Sequence, residues 1–329
     1  VSNIVPLGNL NPPGHTFPTD HIYFYIRAKG GTSVTVETPL YAPGDMTLTS
    51  ATASHHVNAG LTDFGITMDC GDVVLILGHA TTLAANIFGN TTDLSGWDLQ
   101  DEYSTGGETY RMYRKQFNRA IQAGDSLGTA GGNPGQWALD IGTYDRSLNS
   151  GTTANPSRWQ NSWYRHAACP LDFYEAGPVV DAIWTLVVRD GGAGDMFPCG
   201  QVLQDVPGTA HGCWFLDGIT DPYPEDNHLA LVWSNTQPAL AAISAGTMIP
   251  TLTSGVYNIT PENSGVLNRD FSAVTADGTI YGYTPTGLSG GVIIIALPTT
   301  NSLWIEYLPS ATTNPASWVF TAAKTLFYR

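Results

Sequence analysis

"GGVIIIALPTTNSLWIEYLP", residues 290–309, decides the fold class. Two apolar runs of strand length, one dense in isoleucine, flank a short polar turn, which is the pattern of consecutive β-strands. The same kind of run recurs outward along the chain. After it comes "KTLFYR" (324–329), and before it "TIYGYTP" (279–285), "HLALVWSN" (228–235) and "AIWTLVVRD" (182–190). Further back stand "DVVLILGH" (72–79), "MTLTSATA" (46–53), "TSVTVET" (32–38) and "HIYFYIRA" (21–28). The chain is therefore expected to be mainly β. Only "GGETYRMYRKQFNRAIQAG" (106–124) reads as a helix, with Tyr110, Tyr113, Phe117 and Ile121 spaced by three and four and Gly124 placed to end it. Its Arg111, Arg114, Lys115 and Arg119 are read as a solvated face.

A composition change near "QDVPGTAHGCWF" (204–215) divides the chain into an expected domain of residues 1–205 and a β-rich accessory domain of residues 206–329. In the latter, the evenly spaced turns "DPYPEDN", "TADGT" and "TGLSGG" suit a small barrel or sandwich. Residues 140–170 are polar and turn-rich and predict a long surface loop.

Charged residues make up 12% of the 329, well below the roughly 25% of ordinary soluble domains. Lys and Arg number 13 against 28 Asp and Glu, a formal net charge of −15, which argues against a nucleic-acid partner. No apolar run approaches the length of a membrane span. Cys70, Cys169, Cys199 and Cys213 form no CxxC pair and leave three pairings open. The start "VSNIVPLG" reads as a processed or trimmed chain, and the low Lys content with abundant Thr, Gly and Tyr favours an exported, oxidising location, secreted or at the cell surface.

"GHTFPTDHIYFY" (14–25) concentrates His15, Asp20 and His21 just before an alternating aromatic run, either as metal ligands or as a polar turn leading into a strand. His55 and His56 are placed in a hairpin loop, and the acidic group Asp217, Asp221, Glu225 and Asp226 lacks the ordered spacing of a calcium loop. No nucleophile elbow, phosphate loop or dinucleotide fingerprint is present.

Four stretches, in order, resemble the lysostaphin-type zinc endopeptidases, a β-fold family that cuts peptide crosslinks of bacterial cell walls. They are "GHTFPTDH" (14–21), "TPLYAPGDMTL" (38–48), "TDFGITMDCGDVVLILGHATTL" (62–83) and "IQAGDSLGTAGGNPGQWALDIGTYD" (121–145). The resemblance implies an antiparallel β domain with a zinc ion held by His15, Asp20 or His21 and Asp140, assisted by His79. The sequence departs from the family at two places. Asp20 lies five residues after His15 instead of four, and the family's His-x-His is Ala138-Leu139-Asp140. A carboxylate-rich set activates a bound water less than a histidine-rich one, so the resemblance implies a degenerate site. The expected function is binding or scaffolding at an extracellular or cell-surface polymer or peptide. The alternatives are an active metal-dependent endopeptidase and a self-assembling extracellular structural protein.

Overall fold

The computed structural model describes residues 1–26, 36–105, 107–135, 137–149, 151–160, 162–190 and 196–329. The chain is mainly β. It forms two compact units, each assembled from three stretches. The first holds Val1–Val5, His21–Leu148 and His166–Val187; the second holds Pro6–Asp20, Asn149–Arg165 and Val188–Arg329. The sequence reading had placed a single boundary between 205 and 206.

The first unit is built on strands β1 (Asn3–Val5), β2 (Ile22–Tyr25), β3 (Thr38–Tyr41), β4 (Met46–His56), β5 (Leu61–Asp69), β6 (Val73–Leu83), β7 (Asp98–Thr105), β8 (Glu108–Ile121), β9 (Ser126–Ala130) and β10 (Ala138–Asp145). The main sheet runs β1-β2-β10-β6-β5-β4-β8-β7, with β3 and β9 paired beside β6 and the short β12 (Ala167–Ala168) on β10, while the one-turn helix α1 (Ala85–Phe88) follows β6. Every one of these pairings is antiparallel. Successive residues of a strand face opposite sides, and one side here is apolar. Leu48, Ala51, Ala53, Phe64, Ile66, Met68, Leu77 and Leu127 form a buried core on it, closed by Phe88 and Trp97.

The segment expected as a helix is strand β8. Its register against β4 runs from Met46 opposite Ile121 to His56 opposite Tyr110, and β7 pairs along its other edge. A spacing of four is even and so fits a strand equally well, which is why Tyr113, Phe117 and Ile121 all reach the core. Tyr110, the member at an odd spacing, stands in register with His56 and Tyr103 instead. Helix propensity is a weak preference, and pairing on both edges overrides it.

"AIWTLVVRD" is corrected in the opposite direction. Pro178 opens helix α2 (Pro178–Trp184), and the only ladder contact beyond it among the described residues is an isolated bridge from Val187 to Ile4. A short apolar run does not distinguish strand from helix, and a proline at the first helical turn settles this one. The 140–170 segment is also more than a surface loop. It begins as β10, contains short 3₁₀ turns, and buries Trp159 and Tyr164 to about 1% exposure. Most of the expected strand 32–38 lies outside the described residues.

The second unit holds the short parallel pair β11 (Gly151–Thr152) and β13 (Leu203–Gln204) and centres on an eight-stranded antiparallel sheet. Its strands are β14 (Gly212–Leu216), β15 (Leu229–Trp233), β16 (Ala241–Ala245), β17 (Gly255–Ile259), β18 (Tyr281–Tyr283), β19 (Val292–Thr299), β20 (Ser302–Leu308) and β21 (Thr325–Tyr328), in the order β17-β16-β15-β14-β21-β20-β19-β18. The five apolar runs quoted from this region thus share one sheet. The continuous isoleucine run of β19 is explained by burial on both faces. Ile293, Ile295 and Leu297 join the main core with Trp214, Ile243 and Phe327, while Val292 and Ile294 pack against Trp318. Gly282 is required by that second layer, since a Cβ there would lie 2.4 Å from the Trp318 ring.

Cys169 and Cys199 are disulfide-bonded, while Cys70 is free and exposed and Cys213 free and buried. No helix among the described residues is long and apolar enough to cross a membrane. A thiol reagent added to the native protein should label Cys70 alone, with Cys213 reacting only in denaturant; mass spectrometry of the labelled peptides reads this. Ile66→Ala and Ile243→Ala should each lower stability by about 2–5 kcal/mol in urea unfolding, because each leaves a cavity in a closed core.

Candidate functional site

Five side chains on the non-core face of the first unit form a continuous row in which imidazole and carboxylate alternate. His21 precedes β2, Asp140 is on β10, His79 on β6, Asp63 on β5 and His56 on β4. His21 Nε2 lies 3.5 Å from Asp140 Oδ2, which in turn lies 3.2 Å from His79 Nε2. His79 Nδ1 lies 3.3 Å from Asp63 Oδ2, and Asp63 Oδ2 lies 3.1 Å from His56 Nε2. The order of the residues follows the order of the strands across the sheet.

Local backbone features set this geometry. Asp140 is directly opposite Tyr23 on one side and Gly78 on the other. A side chain at Gly78 would crowd it, since a Cβ there would stand 3.2 Å from the Asp140 Cβ. The β5–β6 ladder then shifts register between Phe64 and Ile66, and His79 adopts a left-handed φ of 61°. That conformation costs about 1–2 kcal/mol for a residue with a Cβ. Bulges re-aim side chains, and here the bulge brings the residue after Gly78 into the row.

His79 lies between two carboxylates and keeps 40% of its side chain exposed. Burial disfavours its charge, but hydrogen bonds and Coulomb attraction to Asp140 and Asp63 outweigh that and raise its pKa from 6.5 to about 10. The ring is therefore an imidazolium at neutral pH, with both N–H groups directed at carboxylates. It has no lone pair to act as a base or to ligate a metal. Aromatic rings flank the row. Tyr23 stands edge-on to His21 at 4.9 Å, Tyr110 edge-on to His56 at 4.7 Å, and Tyr103 stacks on Tyr110 at 5.2 Å with 16° between planes.

The residues predicted from sequence are divided between the units. His21, His79 and Asp140 meet in the first, while His15 and Asp20 belong to the second. There His15 Nδ1 is 3.7 Å from Glu225 Oε1, and Asp20 is buried close enough to contribute to the raised pKa values of Tyr164 and Tyr223, for both of which burial is the largest cause. Glu225 is not part of an open acidic loop. It is buried, accepting from the Tyr164 hydroxyl at 2.5 Å and the Phe17 N–H at 2.8 Å. Among the described residues no group of three His, Cys, Asp or Glu is arranged to hold a metal ion.

Two members of the row, His56 and Asp63, were missed. His56 ends strand β4 instead of lying in a loop. In "HHVNAGLTD" the hairpin sets Ser54 opposite Asp63 and His56 opposite Leu61, so His56 and Asp63 are diagonal neighbours. A tight turn between two alternating runs was the available signal. No protein-family model matches the chain, and neither does any curated protein or solved structure.

The sign of the pH dependence follows from the raised pKa. Stability from the His79 clamp is fully present below about pH 6.5 and is lost as pH rises toward 10. Urea unfolding of the wild type and His79→Gln should therefore differ most near pH 6 and converge near pH 10. Nitrogen chemical shifts of the ring should show it still protonated at pH 8.

Proposed function

We propose that the protein is an exported binding protein whose first unit is a divergent lysostaphin-type domain, engaging an extracellular or cell-surface polymer through the row without cleaving it. The observation that carries this reading is the His79 clamp. Hydrolysis at such a site needs a group that takes a proton or a metal that activates water. An imidazolium donating to Asp63 and Asp140 does neither. Three residues of the resemblance, His21, His79 and Asp140, lie together on the non-core face of the sheet, which supports kinship in the arrangement. His21 then takes the place of the first-motif ligand, with His15 outside the set. The disulfide of Cys169 and Cys199 fits an oxidising location.

Metal analysis and a cleavage assay separate this reading from the hydrolase. Purified without added metal, the protein should carry far less than one zinc per chain, and with zinc supplied it should leave crosslinked cell-wall peptide intact. One zinc per chain together with cleavage abolished in His79→Ala would reverse the conclusion. For binding, Asp140→Asn should weaken co-sedimentation with insoluble cell-wall material by about tenfold, equivalent to one charge-assisted hydrogen bond.

A further inference from the structure

We propose that the polymer is a neutral polysaccharide and that its sugar rings stack on Tyr103, backed by Tyr110, at the β7 end of the row. This rests on the binding reading above and deepens it. The row and its flanking tyrosines span six strand spacings from β2 to β7, about 29 Å at the usual separation of neighbouring strands. That length suits a chain crossing the sheet better than a single small molecule.

The chemistry of the face selects among polymers. β10, β6, β5, β4 and β8 each pair on both edges, so their backbone offers nothing to a peptide that would add as a further strand. Recognition on this face runs through side chains. Each carboxylate of the row is already engaged, Asp140 between His21 and His79 and Asp63 between His79 and His56. A polycation would have to break those pairs, and a polyanion meets a chain of net charge −15.

A hydroxyl both donates and accepts. It can therefore donate to the lone pairs these carboxylates keep, without displacing the imidazole N–H groups already directed at them. The tyrosines supply the complementary part. Tyr103 is 45% exposed and stacked on Tyr110, which is braced edge-on by His56. A pre-stacked, exposed ring presents a rigid apolar face beside polar groups, the combination needed by the C–H face and hydroxyl rim of a sugar.

The test passes the full chain over immobilised hydroxyethyl cellulose, galactomannan and laminarin, with alginate, poly-lysine and crosslinked cell-wall peptide alongside. At least one neutral polysaccharide should retain it. Tyr103→Ala should then weaken that binding about tenfold or more, while Tyr103→Phe, which keeps the ring, stays within about twofold. Equal thermal melts of the two variants show that the fold is kept. Retention by no neutral polysaccharide, or retention unchanged in Tyr103→Ala, overturns the assignment. If poly-lysine or cell-wall peptide alone retains the chain and Asp140→Asn abolishes it, the polysaccharide is wrong and the binding reading stands. If no probe retains the chain, both fall.

Discussion

In the first unit every strand has two faces and only one of them can be filled with apolar side chains. Leu48, Ala51, Ala53, Phe64 and Ile66 take that face, and their burial fixes the register of β4 against β5. Once the register is fixed, so is the position of every polar residue on the other side. A slip of one residue would exchange His55 for His56. His55 sits with Thr62, Phe64 and Arg111 around a cavity of about 570 Å³, whereas His56 joins the row. The polar chemistry of the unit is thus a by-product of core packing, held in place by residues that never touch it.

The two units place carboxylates in contrasting company. In the first, Asp63 and Asp140 each lie between two imidazoles, and the His79 imidazolium they share compensates them by charge. In the second, Glu225 is only 3% exposed and is held mainly by a phenol hydroxyl and a backbone N–H. Neutral donors satisfy an acceptor without bringing a second charge out of water, which suits a buried position. Paired charges keep polar capacity at a surface, which suits recognition. Asp205 of the second unit combines the two, accepting from the N–H groups of Ala154 and Cys213 while the buried Arg329 guanidinium attracts its charge.

Much of this was legible in the sequence. The isoleucine run and its neighbours announced the second sheet, because β-branched runs between turns have few other readings. His21, His79 and Asp140 were legible through their order along the chain. The β8 segment was not, because a spacing of four serves a helix and a strand alike, and pairing with β4 and β7 cannot be seen locally. His56 and Asp63 were hidden by the same difficulty, since a diagonal contact depends on hairpin register. The left-handed φ of His79 has no signature at its own position, although Gly78 before it is the kind of residue that often marks a bulge in a strand.

Strand β10 lies between β2 and β6, although those three strands come from the beginning, middle and end of the first long stretch of the unit. Contacts between residues far apart in sequence close late and slowly during folding. The hairpin of β4 and β5, by contrast, brings His56 to Asp63 as soon as one turn has formed. The row therefore depends on both kinds of contact, with His56 and Asp63 meeting across one hairpin and the Asp140 link needing β10 in place between β2 and β6. A chain arrested before β10 docks carries all five side chains and still lacks the surface they make, so any capture of ligand there reports that this protein has finished folding.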